Sequence, residues 1–323
     1  MIRSLTTLAA TFPALVGIAM SGAQAQSVGI ASSNPGSIYH TSASAVAKVV
    51  SDKAGLQATV QPFASPTIYL PAINAGEYEF GLTNIEELRV AVTGDRWQEG
   101  KKYEDLRAVA IIYPLRTAFF VKKDSPIKTI ADFKGKRIVA GYNSQKTIPP
   151  LIDAFYAAAG ISSDDITPVQ VANVVAGGDA FIKGQADAFF FALGGPKVRE
   201  ANASVGGIRA IGLDNTPEAL AAVQKHFPPA YFKAEKPGKP NPGVTEPIFA
   251  VAYDAVVVAS THTDEDVVYR MVKAMYENKK AMAEIFPVFN LFDPKRMASN
   301  APSIEWHPGT IKFLKEQNMW PVQ

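Results

Sequence analysis

The sequence predicts an α/β protein of two lobes, each a doubly wound sheet, joined by crossing strands. Three observations predict it. Apolar segments of strand length alternate with helical patterns from Val28 onward, as in largely parallel sheets covered by helices. The alternation halts at Pro114-Leu115-Arg116, between two strand-like runs, and then restarts. Finally, the proline-rich stretch Phe227 to Pro247 leads into a long apolar strand, Ile248 to Val258, which returns the chain. The expected division is 26–114 and 248–323 in the first lobe and 115–247 in the second, with a cleft between them of the kind that small ligands prefer.

In order along the chain, Val28 to Ala31 reads as a strand. Tyr39, Ala43, Val46 and Val50 recur at spacings of three and four, which makes Ser37 to Ala54 a helix ending at Gly55. Gln57 to Gln61 is a strand, Ser65 to Ala75 a helix stopped by Gly76, Glu79 to Leu82 a strand, and Ile85 to Thr93 a helix stopped by Gly94. Pro71 sits badly inside its helix, since proline removes an interior hydrogen bond. After a polar loop, Leu106 to Tyr113 and Thr117 to Val121 are separate strands. The second unit runs strand Arg137 to Ala140, helix Thr147 to Ala159, strand Thr167 to Val171, helix Gly178 to Lys183, strand Ala188 to Phe191, helix Pro196 to Ala203 and strand Ile208 to Leu213. Phe227 to Pro247 reads as irregular connection. Asp264 to Phe286 is one long helix, capped by Thr263 and stopped by Pro287.

Composition removes whole classes of function. Lys and Arg number 32 against 30 Asp and Glu, so no excess of basic charge exists to displace counterions, and nucleic acid is not expected as a partner. The chain has no cysteine, which excludes disulfides, thiolate metal sites and cysteine nucleophiles. Neither phosphate-loop nor dinucleotide glycine spacing occurs, and no serine elbow. His40, His226, His262 and His307 each stand alone, with no second histidine at metal-pair spacing. We therefore expect no catalytic residues, no metal and no cofactor. Arg3, the apolar run Leu5 to Met20 and the small residues around Gln24 read as a cleaved secretory signal over residues 1–25.

Small, hydroxylated and amide residues gather instead in strand-to-helix turns. Ser32-Ser33-Asn34-Pro35-Gly36-Ser37-Ile38-Tyr39 follows the first strand, Ser65-Pro66-Thr67 the second, Thr83-Asn84 the third, and Gly141-Tyr142-Asn143-Ser144-Gln145-Lys146-Thr147 opens a helix of the second lobe. Ligands of open α/β sheets bind beyond the carboxyl ends of the strands, where helix N-termini present N–H groups that suit an anion. A carboxylate needs no arginine there. Helix capping by Ser33 or Asn34 is the plainer reading of the first turn.

The turn ending Gly36-Ser37-Ile38-Tyr39, the segment Asp132-Phe133-Lys134-Gly135-Lys136-Arg137-Ile138, the run Gly184-Gln185-Ala186-Asp187-Ala188-Phe189-Phe190-Phe191 before Gly195-Pro196, and His307-Pro308-Gly309-Thr310 come in a specific order. In them the sequence resembles the substrate-binding proteins of tripartite ATP-independent periplasmic (TRAP) transporters of the TAXI type, over nearly all of the chain after residue 25. Ser32, Ser33, Asn34 and Pro35 stand where that family has glycines and threonine. The resemblance implies a periplasmic binding protein fold of type II, a monomeric receptor in the periplasm for a small carboxylate-bearing solute such as an organic acid or amino acid, and delivery to the membrane subunits of a permease driven by an ion gradient. Expected ligand contacts are Ser33, Asn34, Ser37, Tyr39, Ser65, Thr67, Asn84, Tyr142, Asn143, Ser144, Thr147 and Phe191. His307 is read as packing or capping. Two other functions remain open: the binding protein of an ATP-driven ABC importer, and a periplasmic enzyme.

Arg116, at the crossing into the second lobe, is expected to aim its fork at a carboxylate on the cleft floor. The competing expectation is an arginine that is exposed or paired with a surface carboxylate.

Overall fold

A computed structural model describes residues 26–299, 301 and 303–322; the expected signal, residues 1–25, lies outside the described residues. The chain opens with strand β1 (Gln26–Ser33) and helix α1 (Ile38–Lys53). Ser37, not Ser33 or Asn34, caps α1 by accepting the His40 N–H at 3.1 Å. Then come β2 (Leu56–Phe63), α2 (Pro66–Asn74), β3 (Phe80–Asn84) and α3 (Ile85–Thr93). The α2 helix runs through Pro71. Asn84 caps α3 and Gly94, left-handed at φ 78°, ends it.

The two strands expected around Pro114 are one, β4 (Leu106–Lys122). A proline ends a strand only where its missing N–H would have been needed. Here Pro114 lies beside an irregular register and immediately before β4 changes partners. The second unit contains β5 (Arg137–Tyr142), α4 (Ile148–Ala158), β6 (Thr167–Val171), α5 (Val174–Ile182), β7 (Ala188–Ala192), α6 (Pro196–Ser204) and β8 (Ile208–Ile211). The α5 helix starts a turn before the expected Gly178, because the Asn173 side chain accepts the Ala176 N–H at 3.1 Å. Two elements before β10 were not foreseen. Helix α7 (Pro217–His226) is capped by Thr216, and β9 (Tyr231–Glu235) lies inside the proline-rich stretch, paired to β10 (Ile248–Ser260).

The expected long helix is two, α8 (Glu265–Glu277) and α9 (Lys279–Ile285), broken at Asn278. Asp264 caps α8 through the N–H groups of Asp266 and Val267, while the Thr263 hydroxyl donates to the Glu79 carbonyl. Helix α10 (Pro308–Glu316) closes the description. His307 caps it, accepting the Gly309 N–H at 3.2 Å. A Cβ on Gly309 would come within 2.3 Å of the Glu265 carbonyl, so glycine there sets how closely α10 packs on α8.

The strands form one mixed sheet in the order β2-β1-β3-β10-β4-β7-β5-β6, with β8 also on β4 and β9 also on β10. Among the described residues, only β4 and β10 run through both halves. Over Leu106–Leu115, β4 pairs with β10; from Thr117 onward it pairs with β7 and β8. The α/β, two-lobed expectation holds, with the two strand systems sharing these crossing strands. The core of the second half is aromatic, with Phe119 edge-on to Phe133, Phe155 and Phe190 at 5.0–5.4 Å between centroids. That of the first half includes Ile30, Val46, Leu82 and Val257, all fully buried. Among the described residues, no helix is long and apolar enough to cross a membrane.

Candidate functional site

A cavity of about 40 Å³ lies between the halves of the sheet, roughly three times the space that one water needs. Its wall on one side is the end of β1 and the start of α1 (Ser33, Asn34, Ser37, Ile38, Tyr39), with Ala64, Asn84 and Tyr253. On the other side stand Gln145 and Ile148 at the head of α4, Asn173, Val174 and Val175 at the head of α5, and Phe190, Phe191 and Ala192 of β7. Leu115 and Thr117 of the crossing strand β4 complete the lining. Polar groups thus come largely from the first half and apolar ones from the second.

No residue on this wall carries a charged side chain, so an anion would have to be held by dipoles. Helix N-termini supply them, and they are not equivalent. The first turn of α3 carries Glu86, which offsets its positive end, and its Glu87 N–H is taken by the Asn84 side chain at 2.9 Å. In α4 the second and third residues are Pro149 and Pro150, which have no N–H to offer. The first turn of α1 has no acidic residue, and the N–H groups of Ile38 and Tyr39 have no intrahelical acceptor. In α5 the Val174 N–H is taken by the Gln145 side chain at 3.2 Å, which leaves that of Val175. Helices α1 and α5, one from each half, are therefore the two that can hold negative charge.

Two side chains on the wall lack partners. The hydroxyls of Ser33 and Tyr39 are buried without a hydrogen bond, in residues only 6% and 5% exposed. A buried, unpaired hydroxyl costs about 1–3 kcal/mol, so both are groups that a bound molecule would satisfy. Burial keeps the Tyr39 phenol well above its usual range, so it stays protonated and can donate.

Of the residues expected from the sequence, Ser33, Asn34, Ser37, Tyr39, Asn84 and Phe191 meet at this wall. The structure places the others elsewhere. Asn143 and Ser144 spend their N–H groups on the Val171 and Ala172 carbonyls, and the Tyr142 hydroxyl points back to the Val139 carbonyl at 3.4 Å. Ser65 and Thr67 face the second half rather than the cavity. Ser65 donates to the Ser144 carbonyl, and the Thr67 hydroxyl accepts the Lys146 N–H at 3.3 Å. Thr147 heads α4 without capping it, its hydroxyl buried and unpaired. Two more bonds cross beside the cavity, Asn173 to the Ala64 carbonyl and the Lys197 N–H to the Gly36 carbonyl, both at 3.2 Å. The halves are thus closed on one another. Gly36, at φ 90°, lies at that contact, where a Cβ would reach Val175 at 3.5 Å and Lys197 at 3.6 Å.

Arg116 departs from both expectations. Its guanidinium turns away from the cavity to pair with Glu235 at 2.8 Å and to reach Asn241 at 3.2 Å, both on the segment after α7. The pair is buried rather than on the surface. The lining residues that sequence reasoning did not select are Ile38, Ala64, Leu115, Thr117, Gln145, Ile148, Asn173, Val174, Val175, Phe190, Ala192 and Tyr253. Asn173 carried a readable capping signal. Thr117 and Tyr253 carried none, because only the meeting of β4 and β10 brings them here. No group of three or more metal-ligating side chains occurs among the described residues.

Comparison with known proteins gives a family and a fold. The model of the NMT1-like family matches residues 30–317. Among solved structures, MatC from Rhodopseudomonas palustris with bound malate is 11% identical with a TM-score of 0.59, over 91% of this chain and 96% of that one. A structure described as a periplasmic transporter is 16% identical with a TM-score of 0.56, over 91% and 94%. A binding protein component of an ABC phosphonate transporter from Pseudomonas aeruginosa is 8% identical with a TM-score of 0.53, over 83% and 80%. At such identities the likeness is one of fold, the two-lobed α/β architecture of periplasmic binding proteins.

Proposed function

This chain belongs to the NMT1-like family, and from that premise we propose that it is a periplasmic solute receptor, not an enzyme, that captures a small carboxylate-bearing solute between its lobes. The observation that carries the reading is the uncharged cavity at the heads of α1 and α5, with the Ser33 and Tyr39 hydroxyls unpaired on its wall. N–H groups and two hydroxyls suit an anionic head, and Val174, Val175, Phe190 and Phe191 suit a short apolar body. The malate bound by MatC is an anion of this kind. In this reading residues 1–25 are the export signal, 26–114 and 248–323 form one lobe, 115–247 form the other, and the receptor works as a monomer.

For delivery we propose a TRAP permease, on the TAXI-like motifs. The ABC importer is the second reading, favoured by the structural likeness to a component of an ABC phosphonate transporter. Crosslinking in membranes separates them, because one expects ion-coupled permease subunits as the captured partner and the other an ATPase complex. The solute itself is tested by denaturing protein purified from its native compartment and taking a mass spectrum of what it releases. Recovery of an intact small carboxylic acid or amino acid supports the reading. Recovery of only a neutral or cationic molecule, or conversion of the recovered solute on incubation with fresh protein, refutes it.

A further inference from the structure

Glu87 stands one layer behind the cavity wall, in the first turn of α3, and is only 1% exposed. Its carboxylate accepts from the Thr67 hydroxyl of α2 at 2.7 Å and more distantly, at 3.5 Å, from Thr83 and Asn84 of β3. Around it are the phenols of Tyr39 from α1, Tyr69 from α2 and Tyr253 from β10. The Thr147 hydroxyl faces it from the head of α4, in the opposite half. The neighbouring Glu86 is engaged by Arg89 and Arg96 instead. Among the described residues no Lys, Arg or His pairs with Glu87, and Lys146, the cation of the α4 loop packed here, has an exposed side chain.

Thr67 ties this carboxylate to the cleft. Its hydroxyl has one proton, which goes to Glu87, so a lone pair is left to face outward, and the Lys146 N–H donates to it across the cleft. Glu87 thereby orients one of the bonds that hold the halves together.

We propose that Glu87 is a positioning residue for closure of the cleft, and that closure takes up a proton at its carboxylate. The proposal rests on the reading of the chain as a receptor whose lobes open and close. When the lobes part, the α4 loop withdraws with Thr147 and Lys146, and water reaches the carboxylate. On closure that water is lost and no cation replaces it, so the neutral acid becomes the favoured form. Burial accordingly raises the Glu87 pKa above the ordinary carboxylate value. The sign follows directly. The closed state binds more protons than the open one, so closure is favoured as pH falls and is lost as pH rises through the closed-state pKa.

The absence of native cysteine makes a solute-free test direct. Nitroxides on Lys53→Cys and Lys183→Cys, exposed residues at the far ends of α1 and α5, report the separation of the halves by pulsed electron resonance between pH 5 and pH 8.5. In the otherwise wild-type chain the short-distance population should fall with rising pH, by at most about tenfold in the closed-to-open ratio per pH unit for one proton. Glu87→Gln, which still accepts from Thr67, should stay at the short distance throughout. Thr67→Val, which removes the bridge and leaves the carboxylate, should lose closed population at every pH and keep the slope. Equal pH slopes in the wild type and Glu87→Gln, or a distance that does not move with pH, would overturn the proposal. Either result leaves the receptor reading standing, since no solute is used, whereas the mass spectrum bears on that reading alone.

Discussion

Arg116→Ala should destabilise the protein by about 3–5 kcal/mol, the usual consequence of stripping a buried carboxylate of its cation. The side chains of Arg116 and Glu235 are 6% and 7% exposed, and their contact is 2.8 Å. With the guanidinium gone, Glu235 keeps the Asn241 amide at 2.9 Å as a donor, and the Asn241 carbonyl oxygen loses its own. One hydrogen bond offsets about 1 kcal/mol, whereas an unpaired ion held away from water costs several. At about 1.5–2 °C per kcal/mol for a chain of this length, the melting temperature should fall by roughly 5–10 °C. Replacing both partners with apolar residues, Arg116→Met with Glu235→Leu, should return stability to within about 1 kcal/mol of the wild type or above it. Urea denaturation of the two single variants and the double variant completes the cycle. An alanine variant within about 0.5 kcal/mol of the wild type would refute the reasoning. So would a double variant as unstable as the single one.

Three further outcomes are expected. Ser33→Ala and Tyr39→Phe each remove a hydroxyl with no protein partner, so the solute-free protein should be more stable, by about 1–3 kcal/mol, while affinity for the solute named by mass spectrometry drops about tenfold; unchanged affinity in both, by calorimetry, would take them out of the site. In Gly36→Ala the added methyl meets only ordinary contacts, but φ 90° is strained for any L side chain, so denaturation should show a loss of about 1–2 kcal/mol arising from the backbone. Burial holds the His307 imidazole below its ordinary value of 6.5, so the unfolded chain takes up its proton first. Its contribution to stability is then fully present above about pH 6.5 and is lost as pH falls from there through the lower folded-state pKa. His307→Ala should flatten this part of the pH–stability curve and lose about 1 kcal/mol with the cap.

What the sequence disclosed followed from how local the signals are. Ile85–Thr93 was bounded to the residue because Asn84 and Gly94 are a cap and a stop that act on their own backbone. Asp264–Phe286 reads as one helix in the sequence because the break at Asn278 carries no proline or glycine. The first-lobe wall of the cavity was legible for the same reason, since Ser33, Asn34, Ser37 and Tyr39 lie in one turn. The second-lobe wall was not. The polar turn Asn143-Ser144, of a composition suited to a ligand, gives its N–H groups to neighbouring backbone, and Pro149 and Pro150 disarm the helix that follows. Arg116 was misplaced because its partner, Glu235, is 119 residues away.

The position of β10 bears on how such a chain reaches its native state. It is the last of the described strands along the chain and yet lies between β3 and β4, near the middle of the sheet. Until residues beyond 247 are available, β3 and the first part of β4 present unpaired edges, and the half to which α1, α2 and α3 belong cannot complete its sheet. The second half contains most of its strands within one continuous stretch and can assemble earlier. Pairing across such sequence separations is slow, because the loop must close before its contacts repay the closure. In a nascent chain of this design the outer edges of β3 and of the first part of β4 therefore stay unpaired until the last third arrives, and during that interval they are where association with another copy would begin.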